Sequence, residues 1–454
     1  MTYTDLSGLM ACRKFLKDPV VGALLALQKT ETRPAVTGFT GRTAGFGTGN
    51  GASRNEDGAD GDGHGRGADA DVETVASCAA LLTEQAEKLG LQGNVVRAYL
   101  LELLADGDFA VAEAVEQTGA IGASMEKILA ADLTLLWPYL TELPSALLGT
   151  DLFDHYEPAE PDDCPATRRL DEALAAAESP EQAARAVLEH YVRYGRGLFA
   201  RYKAFRLDEM ARLVGIEPFP DFAWDDLIGY QAQKAALLLN TEDFLAGRGA
   251  NNVLLTGARG TGKSTAVKAL ACRLHGEGLR LLQLERDQLK WLPSVWEELS
   301  RVRSKKFILF LDDLSFDEGE QDYKYLKSAM DGSVTPQPDN VLIYATSNRR
   351  HLLKETWRDR SEGLEEVYRD DNTNESVSLT DRFGLLLHYS LPTQAEYLAM
   401  IARGLARAGV TLDPETLRVE ATRWEMAHSG RNGRIAHQFV TWYLARQKDP
   451  GRRE

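Results

Sequence analysis

Long apolar runs are missing from this 454-residue chain. No stretch of 18 or more uninterrupted apolar residues occurs, which argues against a membrane-spanning helix. Cysteine is scarce: Cys12, Cys78, Cys164 and Cys272 are scattered, with no CxxC pair and no histidine beside them at zinc spacing. That pattern reads as buried thiols in a reducing cytosol. Basic charge is also short, with 52 Lys+Arg against 68 Asp+Glu and a net charge of −16. The shortage is local. Residues 1–200 hold 16 basic and 31 acidic side chains, whereas 201–454 hold 36 and 37. An acidic surface repels a phosphate backbone, so the first half is a poor candidate for broad nucleic-acid contact. The near-neutral second half does not exclude a local basic patch.

What is present points to a multidomain globular protein. Apolar residues make up 44% and charged residues 26%, and the length fits two to four domains. The run Val20–Leu27 follows Lys14 and Lys17 without a small-residue cleavage site, so residues 1–37 are expected to be a helical segment and not a secretory signal. Residues 38–67 contain 11 glycines and few large apolar side chains, so 38–71 is expected to be a disordered linker. Apolar spacing of three and four over 72–205 predicts an all-α domain of six to eight helices. Within it, Asp132–Leu148 is apolar but interrupted by Pro138 and Pro144. The aromatic stripe Tyr191, Tyr194, Phe199, Tyr202 and Phe205 reads as a packing face, with a nucleic-acid stacking surface as the alternative.

From 206 the texture changes. Strands are expected at Asn252–Thr256, Leu279–Leu284, Lys306–Leu311, Asn340–Ala345 and Leu385–Tyr389, alternating with helices, which argues for a parallel sheet over 206–391. Three helices, Gln394–Ala408, Pro414–Ala427 and Arg431–Gln447, are expected to form a lid over 392–447, before a tail at 448–454.

The segment Gly257-Ala258-Arg259-Gly260-Thr261-Gly262-Lys263-Ser264 fits GxxxxGK[ST] after an apolar strand and before a helix that opens at Thr265. Its glycines let backbone N–H groups turn toward phosphate oxygens, and the helix N-terminus adds its dipole. Lys263 supplies charge toward the terminal phosphates, and the Ser264 hydroxyl is a ligand for Mg²⁺. The buried strand Phe307–Leu311 ends in Asp312 and Asp313, 49 and 50 residues after Lys263. That is a Walker B arrangement, in which Asp312 holds the Mg²⁺ shell and Asp313 orients the attacking water. Asp317 and Glu318 are the alternatives for the second role.

The strand Val341–Ala345 continues into Thr346-Ser347-Asn348 and resembles sensor 1 of the AAA+ ATPases. Arg382, just before the last strand, stands where those proteins often place an arginine that acts on a neighbouring subunit. Arg434 resembles sensor 2, with Arg431 as the alternative. The resemblance extends through Trp224-Asp-Asp-Leu-Ile-Gly229, Asn240-Thr241, Phe310-Leu-Asp-Asp-Leu-Ser-Phe316, Tyr344-Ala-Thr-Ser-Asn-Arg-Arg-His351 and Ser378-Leu-Thr-Asp-Arg-Phe-Gly384. This set is similar to the bacterial family called domain of unknown function 815, closely over about 205–447 and only as generic helix over 70–205.

The resemblance implies an α/β P-loop NTPase fold of the AAA+ type with a C-terminal helical lid. It implies binding and hydrolysis of ATP with Mg²⁺, and an adenine ring held at Leu227, Ile228 and Gly229. The resulting expectation is a cytoplasmic ATPase that remodels or loads a macromolecule, as a homo-oligomer with a hexamer as one form. The acidic first half favours protein over nucleic acid as partner. A slowly hydrolysing switch and a small-molecule kinase are the competing readings. The basic run Asn348–Arg360, leading into Ser361–Ser376, reads either as a solvated face or as a contact for nucleic acid or a neighbouring subunit.

Overall fold

A computed structural model of the protein describes residues 5–28, 65–162, 164–315, 321–330, 336–348, 379–428 and 430–448. The expected linker over 38–64, Asp317 and Glu318, the run from 349 to 376 and the tail from 449 lie outside those residues. The chain divides into two compact units. One comprises residues 1–115 and 120–192, and the other comprises 116–119 and 193–454.

The first unit is all-helical. After Pro19–Gln28, its helices run Gly65–Leu89, Val95–Asp106, Ala110–Thr118, Ala123–Thr141, Ser145–Leu148, Pro165–Ala175 and Pro180–Tyr194. Helix therefore begins at Gly65, inside the stretch expected as linker. Pro138 lies in the last turns of Ala123–Thr141 and Pro144 precedes Ser145–Leu148. Leu133, Leu136, Tyr139, Leu140 and Leu148 are buried in the unit's core, so this stretch is interior. Of the thiols, Cys12 and Cys78 are buried, while Cys164 and Cys272 are only partly covered.

The second unit carries a seven-stranded sheet: β1 Ala204–Leu207, β2 Leu213–Gly215, β3 Val253–Gly257, β4 Leu279–Leu284, β5 Lys306–Leu311, β6 Val341–Ser347 and β7 Leu385–Tyr389. The spatial order is β2-β1-β4-β5-β6-β3-β7. Every pair is parallel except the β1–β2 hairpin. The sequence reading lacked β1 and β2. β1 opens at Ala204, so the sheet starts before the boundary expected at 205/206.

Side chains alternate between two cores. Leu254, Leu309, Ile343 and Ala345 face one side, with helix Leu292–Ser300. Val253, Leu255, Ile308, Phe310 and Tyr344 face the other, with helices Gln231–Leu245 and Lys263–Leu274. Both faces are thus covered, as a parallel sheet requires. The chain leaves β3, crosses to β4, returns through β5 and β6 to β3's side, and closes on its far side with β7. This places a topological switch point at the C-terminal end of β3, where α/β sheets bind ligands. The aromatic stripe is partly interior: Tyr191 and Phe205 are buried, Tyr194, Phe199 and Tyr202 are half-buried, and Phe199 packs on Phe205 and Phe307.

Three helices, Gln394–Arg407, Pro414–Ala427 and Gly433–Lys448, follow the sheet with a core of their own around Tyr397, Ile401, Ala421 and Phe439. The fold is therefore α/β with a mostly parallel sheet and C-terminal helices, preceded by an all-α region. Among the described residues no helix is long and apolar enough to cross a membrane.

Candidate functional site

A cleft of about 1010 Å³ opens at the C-terminal ends of β3, β5 and β6. Arg259 to Thr265 line it from the loop and helix after β3, Asp312 and Asp313 from the end of β5, and Thr346 and Asn348 from β6. Three adjacent parallel strands thus deliver residues about ninety positions apart in sequence to one edge.

The loop follows its sequence closely. Gly257 has φ +142°, and a Cβ there would come 2.0 Å from the Tyr389 carbonyl oxygen of β7, so only glycine fits between the strands. Gly262 caps helix Lys263–Leu274 in a left-handed conformation, which frees the first-turn N–H groups toward the cleft. Thr261 ties the loop internally by donating its hydroxyl to the Ala258 carbonyl at 2.9 Å.

Lys263 is buried and its Nζ donates to the carbonyls of Gly257 and Ala258, each at 2.8 Å, and to Asn348 Oδ1 at 3.2 Å. Burial pulls its pKa below the usual lysine range, while Asp313 and Asp312 oppose that shift. Ser264 Oγ donates to Asp312 Oδ1 at 2.5 Å, and Thr346 Oγ1 donates to the same oxygen at 2.7 Å. Asp313 has φ +54°. Its backbone N–H reaches Thr346 Oγ1 at 2.9 Å. Its carboxylate accepts from Asn348 Nδ2 and faces Arg259 at 3.6 Å. A positive φ at a non-glycine residue beside a cleft is the kind of departure that clusters at functional sites.

Sequence reasoning did not single out Thr346, although it joins both carboxylate positions. It also missed Asn432. This residue caps helix Gly433–Lys448 through Ile435 N at 3.0 Å, and its Oδ1 lies against Gly260. Gly433 N donates to the Gly260 carbonyl at 2.8 Å, so the last helix begins on the loop after β3 itself. Arg434, one residue on, lines the cleft, whereas Arg431 pairs with Glu425 at 2.9 Å. Both sensor candidates are therefore near one helix start, but only Arg434 faces the cavity.

Leu227 and Ile228 also line the cleft, with Leu227 Cδ2 3.6 Å from where a Cβ on Gly262 would stand, and Gly229 adjoins them at φ +81°. Buried Lys234 holds this turn by donating to the carbonyls of Trp224 and Leu227 at 3.2 and 2.9 Å. Asn240 and Thr241, part of the family-like set, instead bond the Tyr344 hydroxyl of β6 at 3.0 and 2.7 Å. They hold the sheet and not a ligand. Arg382 is half-buried in the turn before β7 and is not part of the cleft lining.

The donors suit a magnesium-bound polyphosphate. Ser264 and Asp312 offer two oxygens of the hard type Mg²⁺ takes. The loop and Lys263 offer N–H donors for phosphate oxygens. Among the described residues no separate cluster of His, Cys, Asp and Glu suited to a metal occurs.

The family description "Protein of unknown function (DUF815)" matches residues 200–447, more than half of the chain. No curated protein matches it. Among solved structures, a variant of RuvB from Thermotoga maritima is 17% identical, covers 50% of this chain and 67% of its own, and has a TM-score of 0.37. RuvB of that organism, described as a Holliday junction branch migration motor, is 19% identical over 51% of this chain and 66% of its own, with a TM-score of 0.35. PCH-2 from C. elegans is 19% identical over 50% of this chain and 65% of its own, at 0.34. The likenesses span about two thirds of those chains. The fold assignment here rests on the strand order and the loop after β3.

Proposed function

The chain belongs to the DUF815 family, and on that premise we propose that it is an ATPase that cleaves ATP to ADP and phosphate with Mg²⁺. One observation carries the reading: Lys263, Ser264, Asp312, Asp313, Thr346 and Asn348 form a single hydrogen-bonded set at the C-terminal edge of three adjacent strands.

In this proposal the amides of Gly260 to Ser264 and the Lys263 ammonium bind the phosphates. Ser264 and Asp312 hold Mg²⁺, which supplies charge neutralisation on the phosphate oxygens when bound. Lys263 exchanges its carbonyl partners for phosphate oxygens. Asn348 and Asp313 orient a water in line with the terminal phosphorus. The bond from that phosphorus to the bridging oxygen breaks as the water oxygen attaches, and Asp313 takes the water's proton. Leu227 and Ile228, with Gly229 beside them, hold the adenine. Arg434 reaches the phosphates from the lid.

Arg382 stands outside its own cleft lining, which supports a role at a neighbouring copy's phosphate in a homo-oligomer, of which a hexamer is one form. We extend the reading to a cytoplasmic enzyme that couples hydrolysis to remodelling or loading of a macromolecule. The acidic first half favours protein over nucleic acid as that partner. A second reading, a slowly hydrolysing switch, is favoured by Asp313 itself. Its side chain is short, and Arg259 and Asn348 already engage it.

Calorimetry on Lys263→Ala tests the assignment. Charge-assisted contacts contribute about 1.5–3 kcal/mol, so ATP affinity falls about ten- to a hundredfold. An unchanged dissociation constant contradicts the proposal.

A further inference from the structure

One carboxylate joins two walls of the cleft, next to the residues to which the ATPase reading assigns the base. Asp226 ends the short turn Trp224–Asp226 and directly precedes Leu227 and Ile228. Its Oδ1 lies 3.2 Å from Arg403 Nε and its Oδ2 lies 2.6 Å from Arg407 Nη2. Both arginines belong to lid helix Gln394–Arg407. Met400, Gly404 and Arg407 form that helix's cleft-facing stripe, at the four- and three-residue spacing of one helical face. A Cβ on Gly404 would come 2.8 Å from Val440 Cγ2, so the first and last lid helices pack closely there.

The turn is thus held from two sides. Lys234 grips its carbonyls from the ATPase core, and Arg403 and Arg407 grip its carboxylate from the lid. In the ATPase reading, a base held by Leu227 and Ile228 bears on this turn. In the ATPase reading the phosphates are held by other groups, Gly260 to Ser264 and Arg434.

We infer that Asp226, Arg403 and Arg407 form a clamp coupling occupancy of the base site to the position of the lid. The lid then answers to the nucleobase and not to the triphosphate alone. The inference rests on the ATPase reading. Arg403 lies outside the cleft lining and acts through Asp226, whereas Asp226 and Arg407 also line the cleft, so tripolyphosphate affinity is the readout that separates positioning from direct contact with phosphate.

The test titrates the full chain with magnesium-bound ATP and with magnesium-bound tripolyphosphate, which carries three phosphates without base or ribose. Asp226→Asn keeps the shape and removes the charge; Arg407→Met keeps the aliphatic stem. Ion pairs with half-exposed arginines are modest, so ATP affinity is expected to fall about three- to tenfold while tripolyphosphate affinity stays within about twofold. The reversed pair, Asp226→Arg with Arg407→Asp, recovers part of the loss. Hydrogen exchange gives an independent readout: ATP slows exchange in helix Gln394–Arg407 of the wild type but not of Asp226→Asn at saturating ATP. Equal weakening of both ligands, no change in either, or retained protection of that helix overturns the clamp and leaves the ATPase reading standing. A wild type that binds neither ligand overturns the ATPase reading and the clamp with it. Should Asp226→Asn fail to fold, Arg403→Met, outside the cleft lining, supplies the comparison.

Discussion

Asp132 in the helical unit and Asp312 in the sheet-bearing unit each accept two hydrogen bonds on the carboxylate, yet their partners differ in kind. Asp132 is fully buried and accepts from the backbone amides of Met10 and Cys12 at 2.8 and 2.7 Å. Asp312 is exposed and accepts from the hydroxyls of Ser264 and Thr346 at 2.5 and 2.7 Å. A carboxylate committed to main-chain amides in a dry core fixes a fold. One committed to rotatable hydroxyls at an open cleft can exchange them for a metal ion. The helical unit uses buried polar groups such as Tyr191, whose hydroxyl donates to the Leu104 carbonyl, as anchors. The sheet-bearing unit gathers side-chain-to-side-chain bonds at one edge of its sheet.

The contrast breaks most visibly at Arg382, a site residue outside the cleft. Arginine fingers are worth on the order of 10³–10⁵ in rate, so Arg382→Ala is expected to bind ATP normally and lose turnover on that scale. Mixing it with Lys263→Ala should restore some activity, because an intact cleft then meets a neighbour's intact arginine. Absence of recovery in assemblies shown by native mass spectrometry to be mixed contradicts the trans role.

The helical unit should respond in stability and not in chemistry. Asp132→Ala leaves the buried Cys12 amide and the part-buried Met10 amide unpaired, at about 1–3 kcal/mol for the buried one and less for the other. Denaturant unfolding should show a loss of about 1–3 kcal/mol or slightly more in this unit, with ATP affinity unchanged. A comparable loss of ATP affinity would mean that Asp132 also serves the site.

A smaller effect sharpens the comparison inside the second unit. Lys305 is buried beside Arg280 and Glu116. Burial, reinforced by the Arg280 charge, lowers its pKa to about 7 against the opposing pull of Glu116. The unfolded chain binds this proton up to about pH 10, so between about 7 and 10 it holds more protons than the folded chain and stability rises with pH. The slope is at most about 1.4 kcal/mol per pH unit for one group. Lys305→Met should flatten the curve over that window. A parallel curve contradicts the assignment.

Legibility in the sequence followed chain locality. The loop after β3, the carboxylates after β5 and Asn348 after β6 each sit in a contiguous strand-plus-turn signal, and the structure brings them together. β1 and β2 were hidden because they are four and three residues long, with Arg206 exposed and β2 only half-buried. The start of helix Gly65–Leu89 was hidden by its Gly-rich first turn, which has poor helix propensity. Contacts between distant segments left no local mark. Asn432 on Gly260 and Arg407 on Asp226 each join residues more than 170 positions apart. Asp313 was legible as a candidate, but its left-handed backbone and its partner Arg259 were not.

The most direct measurement follows phosphate release and ATP affinity in wild type and Asp313→Asn. The substitution leaves Asp312 and Ser264 in place and removes only the group assigned to the water. The account predicts ATP affinity within about threefold of wild type and turnover reduced about a hundredfold or more, the scale of general-base catalysis. An Asp313→Asn chain that releases phosphate at the wild-type rate, or a wild type whose phosphate release does not depend on Lys263, would contradict it.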